Sequence, residues 1–227
     1  MPPNGDSYFA LPEVGGLLHP PEYIPSHLQL GAASTDLLQD TVTMSVDVYQ
    51  DWDLIQVIVT ITNTGAGHHV PTDHPGRHII LTVETMDSNE QPLIQVAGAQ
   101  VPQWGGDQAG QAGNTYAKLL QDVVSREFPV VSYWKRTLIV SDNRIPAMGS
   151  DTSTYTFAAP AADNKVTVNT ELRFRRTFQT VMDNKGWDTP DIVMEEVHSI
   201  LSVQPWWDNF FPLVIMMERM ENVGSTD

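Results

Sequence analysis

The alternation of apolar and polar residues predicts β-strands along most of the chain. From Val42 to Val48 the two kinds alternate with a period of two, which is typical of a strand with one buried face. Leu54 to Thr62 is a nearly continuous run rich in β-branched residues, as in a central strand. Because the turn residues Asp51-Trp52-Asp53 separate these runs, we expect an antiparallel hairpin.

Similar runs recur between turn residues at intervals that favour a sandwich. Helical signals are few: Asn114 could cap a short helix at Thr115–Val124, and Gly186 could end one at Arg175–Asn184. Residues 103–114, rich in Gly and Gln, predict a long loop. The fold class predicted is all-β, an antiparallel immunoglobulin-like β-sandwich with one or two short helices. Its further strands are expected at His78–Met86, Leu93–Val101, Ser132–Val140, Ser153–Ala158, Lys165–Phe174 and Ile192–Val203.

Composition shifts predict three regions. Residues 1–38 form a Pro-rich N-terminal arm, and proline between Pro2 and Pro25 argues against a helix or a central strand there. Residues 39–204 form the β-sandwich domain, and residues 205–227 form an aromatic C-terminal tail. Four aromatic side chains crowd six residues of this tail, where they either complete the core or anchor a partner. These candidate partner-binding residues are Trp206, Trp207, Phe210 and Phe211.

Charge and composition exclude several classes of function. The formal net charge of −16 repels nucleic-acid phosphates, so no nucleic-acid partner is expected. No apolar run approaches the roughly 18 residues of a membrane span, and the N-terminal sequence shows no signal-peptide pattern. The absence of cysteine excludes disulfides, thiolate zinc sites and covalent haem attached through C-x-x-C-H.

The densest candidate site is a loop that contains four of the seven histidines. Neutral imidazole is a common ligand of transition metals and of haem iron, and an acidic neighbour can orient such a ring. The loop lacks H-E-x-x-H, which disfavours a zinc protease. Alternatively, the rings only bond the backbone of their own loop. The cofactor-binding candidates are His68, His69, His74 and His78, and the metal-ligand candidates are His68, His69, Asp73 and His74.

Other chemistry has weaker support in the sequence. No G-x-S-x-G elbow and no phosphate-binding glycine loop occurs, so we expect a protein that is not an enzyme. Acidic residues and one asparagine in turns could hold calcium through oxygen ligands, although turns select Asp and Asn for other reasons. These residues are Asp51, Asp53, Asp87, Asn89, Glu90, Asp142 and Asp151.

Three segments resemble one known family. Thr62–Thr72, followed by Pro75–His78, resembles the N-x-G-x-G-H-x-x-P-T-G-x-P-x-R segment in β-sandwich domains of extracellular multihaem c-type cytochromes. Asp142–Thr152 resembles a second segment of those domains, and Lys185–Trp187 with Pro190–Met194 resembles a third. The chain departs from the family in lacking C-x-x-C-H and in having Asp73 where glycine is usual.

The resemblance implies a non-catalytic accessory or scaffold domain in an extracytoplasmic (periplasmic or extracellular) electron-transfer assembly. The implied partner is a multihaem c-type cytochrome or another subunit of the complex, and His68 in the matching position could be an axial ligand to the partner's haem. An alternative from a different class is an extracellular adhesion or carbohydrate-binding module stabilised by calcium, with exposed tryptophans that stack on sugars.

Overall fold

A computed structural model describes residues 8, 10–23, 31–72, 74–160 and 165–204. The chain divides between Ser34 and Thr35 into two compact units. In the first unit, single 3-10 turns occur at Pro12–Val14, Pro21–Tyr23 and Gly31–Ala33. The expectation that proline excludes helical structure here is wrong for the turns that begin at Pro12 and Pro21. A proline at the first position of a helical turn has a suitable φ and loses no intrahelical hydrogen bond.

The second unit consists of β-strands and two short helices in its described part. The helices are α1 (Thr35–Gln39) and α2 (Gln179–Lys185). No helix in the described ranges has the length and apolar character to cross a bilayer. The strands are β1 (Thr43–Asp51), β2 (Leu54–Thr62), β3 (His78–Met86), β4 (Gln95–Ala97), β5 (Gly113–Asp122), β6 (Thr137–Asp142), β7 (Ser150–Ala158), β8 (Lys165–Arg175) and β9 (Ile192–Ser202).

The strands form two antiparallel sheets, so the predicted all-β sandwich is confirmed. One sheet has the order β1-β2-β7-β4 and the other β6-β5-β3-β8-β9. In β2 and β8 alternate side chains are buried, as the period of two requires for a strand with one face on the core. The β1–β2 hairpin pairs Asp51 with Leu54, as the sequence predicts.

A buried hydrogen bond links the two sheets. The hydroxyl of Tyr116 in β5 donates to a carboxylate oxygen of Asp151 in β7 at 2.8 Å. Burial, together with the negative charge of Asp151, raises the pKa of Tyr116 far above its ordinary value. The phenol therefore remains a proton donor to Asp151 at physiological pH.

The helix predicted at Thr115–Val124 is wrong, because residues 115–122 belong to β5 and the last two residues lie in the turn that follows. The strand pairs with β3 on one side and with β6 on the other. Asn143 adds to this pairing: its Oδ1 accepts from the amide of Ala117 at 2.9 Å, and its Nδ2 donates to the carbonyl of Thr115 at 2.6 Å. Helix-favouring residues such as Lys118 and Leu119 are overridden because tertiary pairing satisfies the backbone groups of the extended chain.

Three other element predictions need correction. The strand expected at Leu93–Val101 is reduced to β4, which pairs with β7 across a register shift. The predicted loop at residues 103–114 contains a 3-10 helix at Gln103–Gln108 and the first residues of β5. The strand expected from Ser132 begins only at Thr137, because the amide of Lys135 bonds the carbonyl of Ser132 in a turn.

The predicted helix before Gly186 is confirmed at its C-terminal end as α2, but it begins at Gln179, because Arg175, its predicted first residue, is the last residue of β8. Gly186 has a φ of 64°, and its amide bonds the carbonyl of Asp183. The amide of Trp187 bonds the carbonyl of Met182 at 3.0 Å, which completes a glycine-terminated helix end.

Candidate functional site

The histidine loop is held in place by Asn63, a fully buried residue that directly follows β2. Its Nδ2 donates to the carbonyls of His68 at 2.8 Å and Ile145 at 3.2 Å. Its Oδ1 accepts from the amide of Ala66 at 3.1 Å. One side chain thus closes the corner after β2 and connects it to the loop between β6 and β7.

Backbone pairing fixes the same two segments to each other. Val70 and Ile145 exchange two amide–carbonyl hydrogen bonds of 2.9 Å. The amide of Asn63 bonds the carbonyl of Gly149 at 3.0 Å, and the amide of Met148 bonds the carbonyl of Asn63 at 3.0 Å. The first two segments that resemble the cytochrome family are therefore two halves of one braced corner.

Replacing Asn63 with alanine is expected to lower the free energy of unfolding by about 2 kcal/mol, because the partly buried carbonyl of His68 and the buried carbonyl of Ile145 each lose a donor. Urea denaturation followed by circular dichroism measures this change. The matched control is alanine at Asn89, whose side chain is exposed in a turn, and it should change stability by less than about 0.5 kcal/mol. Equal effects of the two substitutions would show that Asn63 does not brace the corner.

His68 is exposed and has a defined tautomer. Its Nδ1 lies 3.1 Å from the carbonyl oxygen of His69, and a carbonyl can only accept. Nδ1 therefore carries the proton, which leaves the lone pair on Nε2. A backbone carbonyl that holds the far ring nitrogen in this way is the usual partner of a metal-ligating histidine.

His74, a second exposed ring, carries its proton on the other nitrogen. The Nδ1 of His74 accepts from the amide of Gly76 at 3.1 Å, so the proton of its neutral ring lies on Nε2. His69 is exposed on the same loop as His68. Asp73, the carboxylate of the predicted metal set, lies outside the described residues. Within the described ranges, no three side chains of His, Asp or Glu converge as they would on a metal ion.

His78, the fourth predicted ligand, is fully buried at the start of β3. Its Nδ1 donates to the carbonyl of Gly76 at 2.8 Å, so its lone pair also lies on Nε2. This Nε2 is buried and has no hydrogen-bond partner among the described residues. Burial lowers the pKa of His78 to about 4, and the nearby Arg175 charge adds to that shift, so the ring is neutral at physiological pH.

Aromatic side chains enclose His78. Phe178, directly before α2, stacks on the imidazole with ring centroids 5.1 Å apart, and Trp104 meets it edge-on at 5.4 Å. Trp104 and Phe178 contact each other at 5.6 Å. Such aromatic pairs stabilise beyond simple area burial. The imidazole of His78 is thus part of a packed cluster.

Arg175, at the end of β8, holds the chain segments around this cluster. It lies opposite His78 in the β3–β8 register and is only 2% exposed. Its guanidinium donates twice to Asp191, at 2.8 and 2.7 Å, and once each to the carboxylate of Asp107 and the carbonyl of Gly105. Burial alone would lower the pKa of Arg175, but the hydrogen bonds that it donates to Asp191 and Asp107 outweigh burial and raise that pKa.

Glycine at position 106 allows the backbone to lie close to the guanidinium of Arg175. Gly106 has a φ of 68°, and a Cβ added there would lie 2.9 Å from a guanidinium nitrogen of Arg175 and 2.7 Å from the Cβ of Gln179. A residue with a Cβ would be strained at this φ and would clash with Arg175 and Gln179, so the position requires glycine.

The sequence analysis missed Arg175, Trp104 and Phe178. The glycine pair that follows Trp104 was the one available signal of a close backbone contact.

The structure therefore separates the four histidines by environment. His68, His69 and His74 are exposed, whereas His78 belongs to the aromatic cluster. The predicted partner-binding residues Trp206, Trp207, Phe210 and Phe211 lie outside the described residues. Their role stays a prediction.

Comparison with known proteins adds a likeness of fold. No protein-family model matches the chain, and no curated protein matches it. Among solved structures, the chain is similar to a penta-haem cytochrome c552 from Thermochromatium tepidum, with a TM-score of 0.58 and 19% sequence identity. The match covers 75% of this chain and 42% of that chain, so the protein spans less than half of the cytochrome's length. At this identity the likeness concerns the fold alone.

Proposed function

We propose that this chain is a non-catalytic accessory domain of an extracytoplasmic multihaem cytochrome assembly, in which His68 offers Nε2 as an axial ligand to a haem carried by a partner chain. The observation that carries the proposal is an exposed imidazole whose Nδ1 proton is held by the carbonyl of His69. The shared fold with part of a penta-haem cytochrome supports the choice of partner.

His68 fits a partner's haem better than His74 and His78 do. A porphyrin can approach only a ring that reaches the surface, and this requirement removes His78. His74 uses its Nδ1 lone pair to accept from Gly76, so its Nε2 carries the proton that a ligand nitrogen must lose. His68 has an exposed ring, a free Nε2 lone pair and a loop that Asn63 holds in place.

Covalent attachment of haem to this chain is chemically impossible, because it has no cysteine. Under this proposal the chain supplies one nitrogen ligand, shields one face of the haem from water and positions it relative to the sandwich. Axial ligation by a neutral imidazole favours the low-spin state and sets the reduction potential together with the surrounding polarity.

The test uses a c-type haem peptide with one open axial position as the probe. We expect the full chain to convert this ferric haem from high spin to low spin, with a shift of the Soret band and a saturable titration. His68→Ala should weaken the binding at least tenfold, which corresponds to the loss of about 1.4 kcal/mol of binding free energy. The matched control is His69→Ala on the same loop, which should retain the spectral change.

Two results would contradict the ligand assignment. One is an affinity of the wild-type chain for the haem peptide that is no higher than that of free N-acetylhistidine. An imidazole that the protein already holds in its binding orientation should bind more tightly than the free amino acid. The other is a spectral change that survives His68→Ala and is lost in His69→Ala or His74→Ala. Circular dichroism of each variant checks that the fold is retained.

The alternative of a calcium-stabilised adhesion or carbohydrate-binding module has exposed tryptophans such as Trp134 in its favour, but two of its candidate calcium ligands are already engaged. Oδ1 of Asp87 accepts from the amides of Asn89 and Gln91, both at 2.8 Å. Asp142 bonds Arg144 through both oxygens at 2.7 Å. These two candidate carboxylates already have partners, whereas calcium needs six to eight oxygen ligands. The calcium assignment stays a prediction.

A further inference from the structure

The edge strand β6 differs from an ordinary sandwich strand in that its apolar residues are exposed on both faces. Leu138 and Ile139 follow one another, so they point to opposite sides of the sheet, and Val140 lies at a register shift in the pairing with β5. All three are exposed. Directly before the strand, Tyr133 and Trp134 form an edge-to-face pair at 5.1 Å and are 88% and 74% exposed. We call residues 133–142 the β6 edge.

The other three edge strands, β1, β4 and β9, do not expose three consecutive apolar residues. The exposed positions of β1 are mostly polar, and β4 has only three residues. β9 lies beside β1 and α1, and its carbonyl at Val193 accepts from Gln39. Natural proteins protect free edges with short strands, charges or covering segments, because an open apolar edge is a template for strand addition. β6, with six residues, exposes three consecutive apolar side chains, and β5 is the element that packs closely on it within the described residues.

The backbone of β6 also offers hydrogen-bonding groups to a further strand. The carbonyl of Arg136 bonds the amide of Val123, so residues 136 and 138 face β5 and Ile139 directs its amide and carbonyl away from the sheet. The carbonyl of Leu120, which lies opposite Ile139, is bonded to Val130 instead. Within the described residues, the amide and carbonyl of Ile139 point away from β5, so they can join an added antiparallel strand.

Charge distinguishes this part of the chain as well. Residues 113–144 contain five basic and three acidic residues, which gives +2 in a chain of net charge −16. Two copies of so acidic a protein repel each other least through this hairpin.

We infer that the β6 edge is a self-association surface, at which a second copy of this chain adds its own β6 antiparallel about a two-fold axis at Ile139. In this arrangement Ile139 of one copy lies level with Ile139 of the other. Such self-complementary pairing suits the commonest oligomer symmetry, and it gives the apolar side chains of β6 cross-strand neighbours. It is independent of the haem proposal, since it uses different residues.

Two isoleucines on opposite edges of the same sheet provide a matched test. Ile139 is 57% exposed on β6 and Ile200 is 55% exposed on β9. Sedimentation equilibrium of the full chain should show dimers. Ile139→Asp should weaken self-association at least tenfold, because it places like charges at the two-fold axis, whereas Ile200→Asp should leave the dimer unchanged. Circular dichroism confirms that both variants are folded.

Cross-linking supplies a second measurement that does not depend on weakening the fold. The chain has no cysteine, so Ile139→Cys introduces a single thiol. Two such residues paired directly across the axis would lie about 5.5 Å apart at Cα, which permits a disulfide. Mild oxidation should give a covalent dimer with Ile139→Cys and none with Ile200→Cys.

The inference is overturned by a wild-type chain that remains monomeric at its highest soluble concentration. It is equally overturned by a dimer that survives Ile139→Asp and fails to cross-link at position 139. A monomer whose amides at residues 137 and 139 resist hydrogen exchange at every concentration would assign the edge to another segment of the same chain and also overturn it.

Discussion

Replacing Arg175 with leucine is expected to lower the free energy of unfolding by about 3–5 kcal/mol, the usual cost of breaking a buried ion pair from one side. The substitution leaves the largely buried carboxylate of Asp191 without its two hydrogen bonds and the carbonyl of Gly105 without a donor. It also releases the segment that carries Trp104 from the end of β8. Urea denaturation at neutral pH measures the effect.

Arg173 provides the matched control, because it lies two residues earlier on β8. It forms a two-fold hydrogen bond with Glu171, at 2.5 and 2.6 Å, and both side chains are partly exposed to solvent. Leucine at position 173 should cost about 0.2–1 kcal/mol, as for other solvent-accessible ion pairs. If the two leucine variants were equally stable, Arg175 would not be the residue that holds the segments around His78.

The second large effect expected is a loss of stability in mild acid that depends on His78. Burial lowers the pKa of this ring in the folded chain from 6.5 to about 4. Between these values the unfolded chain binds a proton at His78 that the folded chain does not, so the free energy of unfolding falls as the pH falls. The total loss across this window is roughly 3 kcal/mol, and it is complete near pH 4. Arg175 lowers the pKa of His78 and Asp191 raises it.

The pH dependence is measured by denaturant unfolding of the wild type and of His78→Asn between pH 7 and pH 4. Asparagine can still donate to the carbonyl of Gly76, but it does not titrate. The variant should therefore lose most of the slope, whatever its stability at pH 7. His198→Asn on the exposed face of β9 should retain the slope. A wild-type slope that persists in His78→Asn would refute the assignment to this ring.

All variants retain the other titrating groups, so a difference between their slopes of unfolding free energy against pH reports on the substituted histidine. Asp107, Asp122 and Asp142 have pKa values lowered from 3.8 by hydrogen bonds and nearby cations, against the effect of burial. A carboxylate with a lowered pKa contributes stability that is present above its unfolded value and lost as the pH falls through its folded value. These three groups therefore act below the window in which His78 acts.

The sequence located the candidate site but did not distinguish its members. Four histidines within residues 68–78 indicated ligand chemistry, and two prolines indicated a stiff loop. The tautomer of His68 depends on the carbonyl of His69, and the environment of His78 depends on Phe178 and Trp104. Those partners are set by backbone geometry and by distant segments, for which residue spacing carries no signal.

Local pattern alone determined the strands whose faces alternate and the helix end that needs a left-handed residue. β2 and β3 begin and end where the runs of β-branched and apolar residues do, and α2 ends before Gly186 as predicted. Both signals act within a few residues, through side-chain periodicity and allowed φ values. Three features were decided by tertiary structure alone. Residues 115–122 form a strand and not a helix, Asn63 joins two loops, and Arg175 is buried. In each case the backbone or a charge gains its hydrogen-bond partners from residues far away in the sequence, so the free energy that decides the outcome exists only in the folded chain.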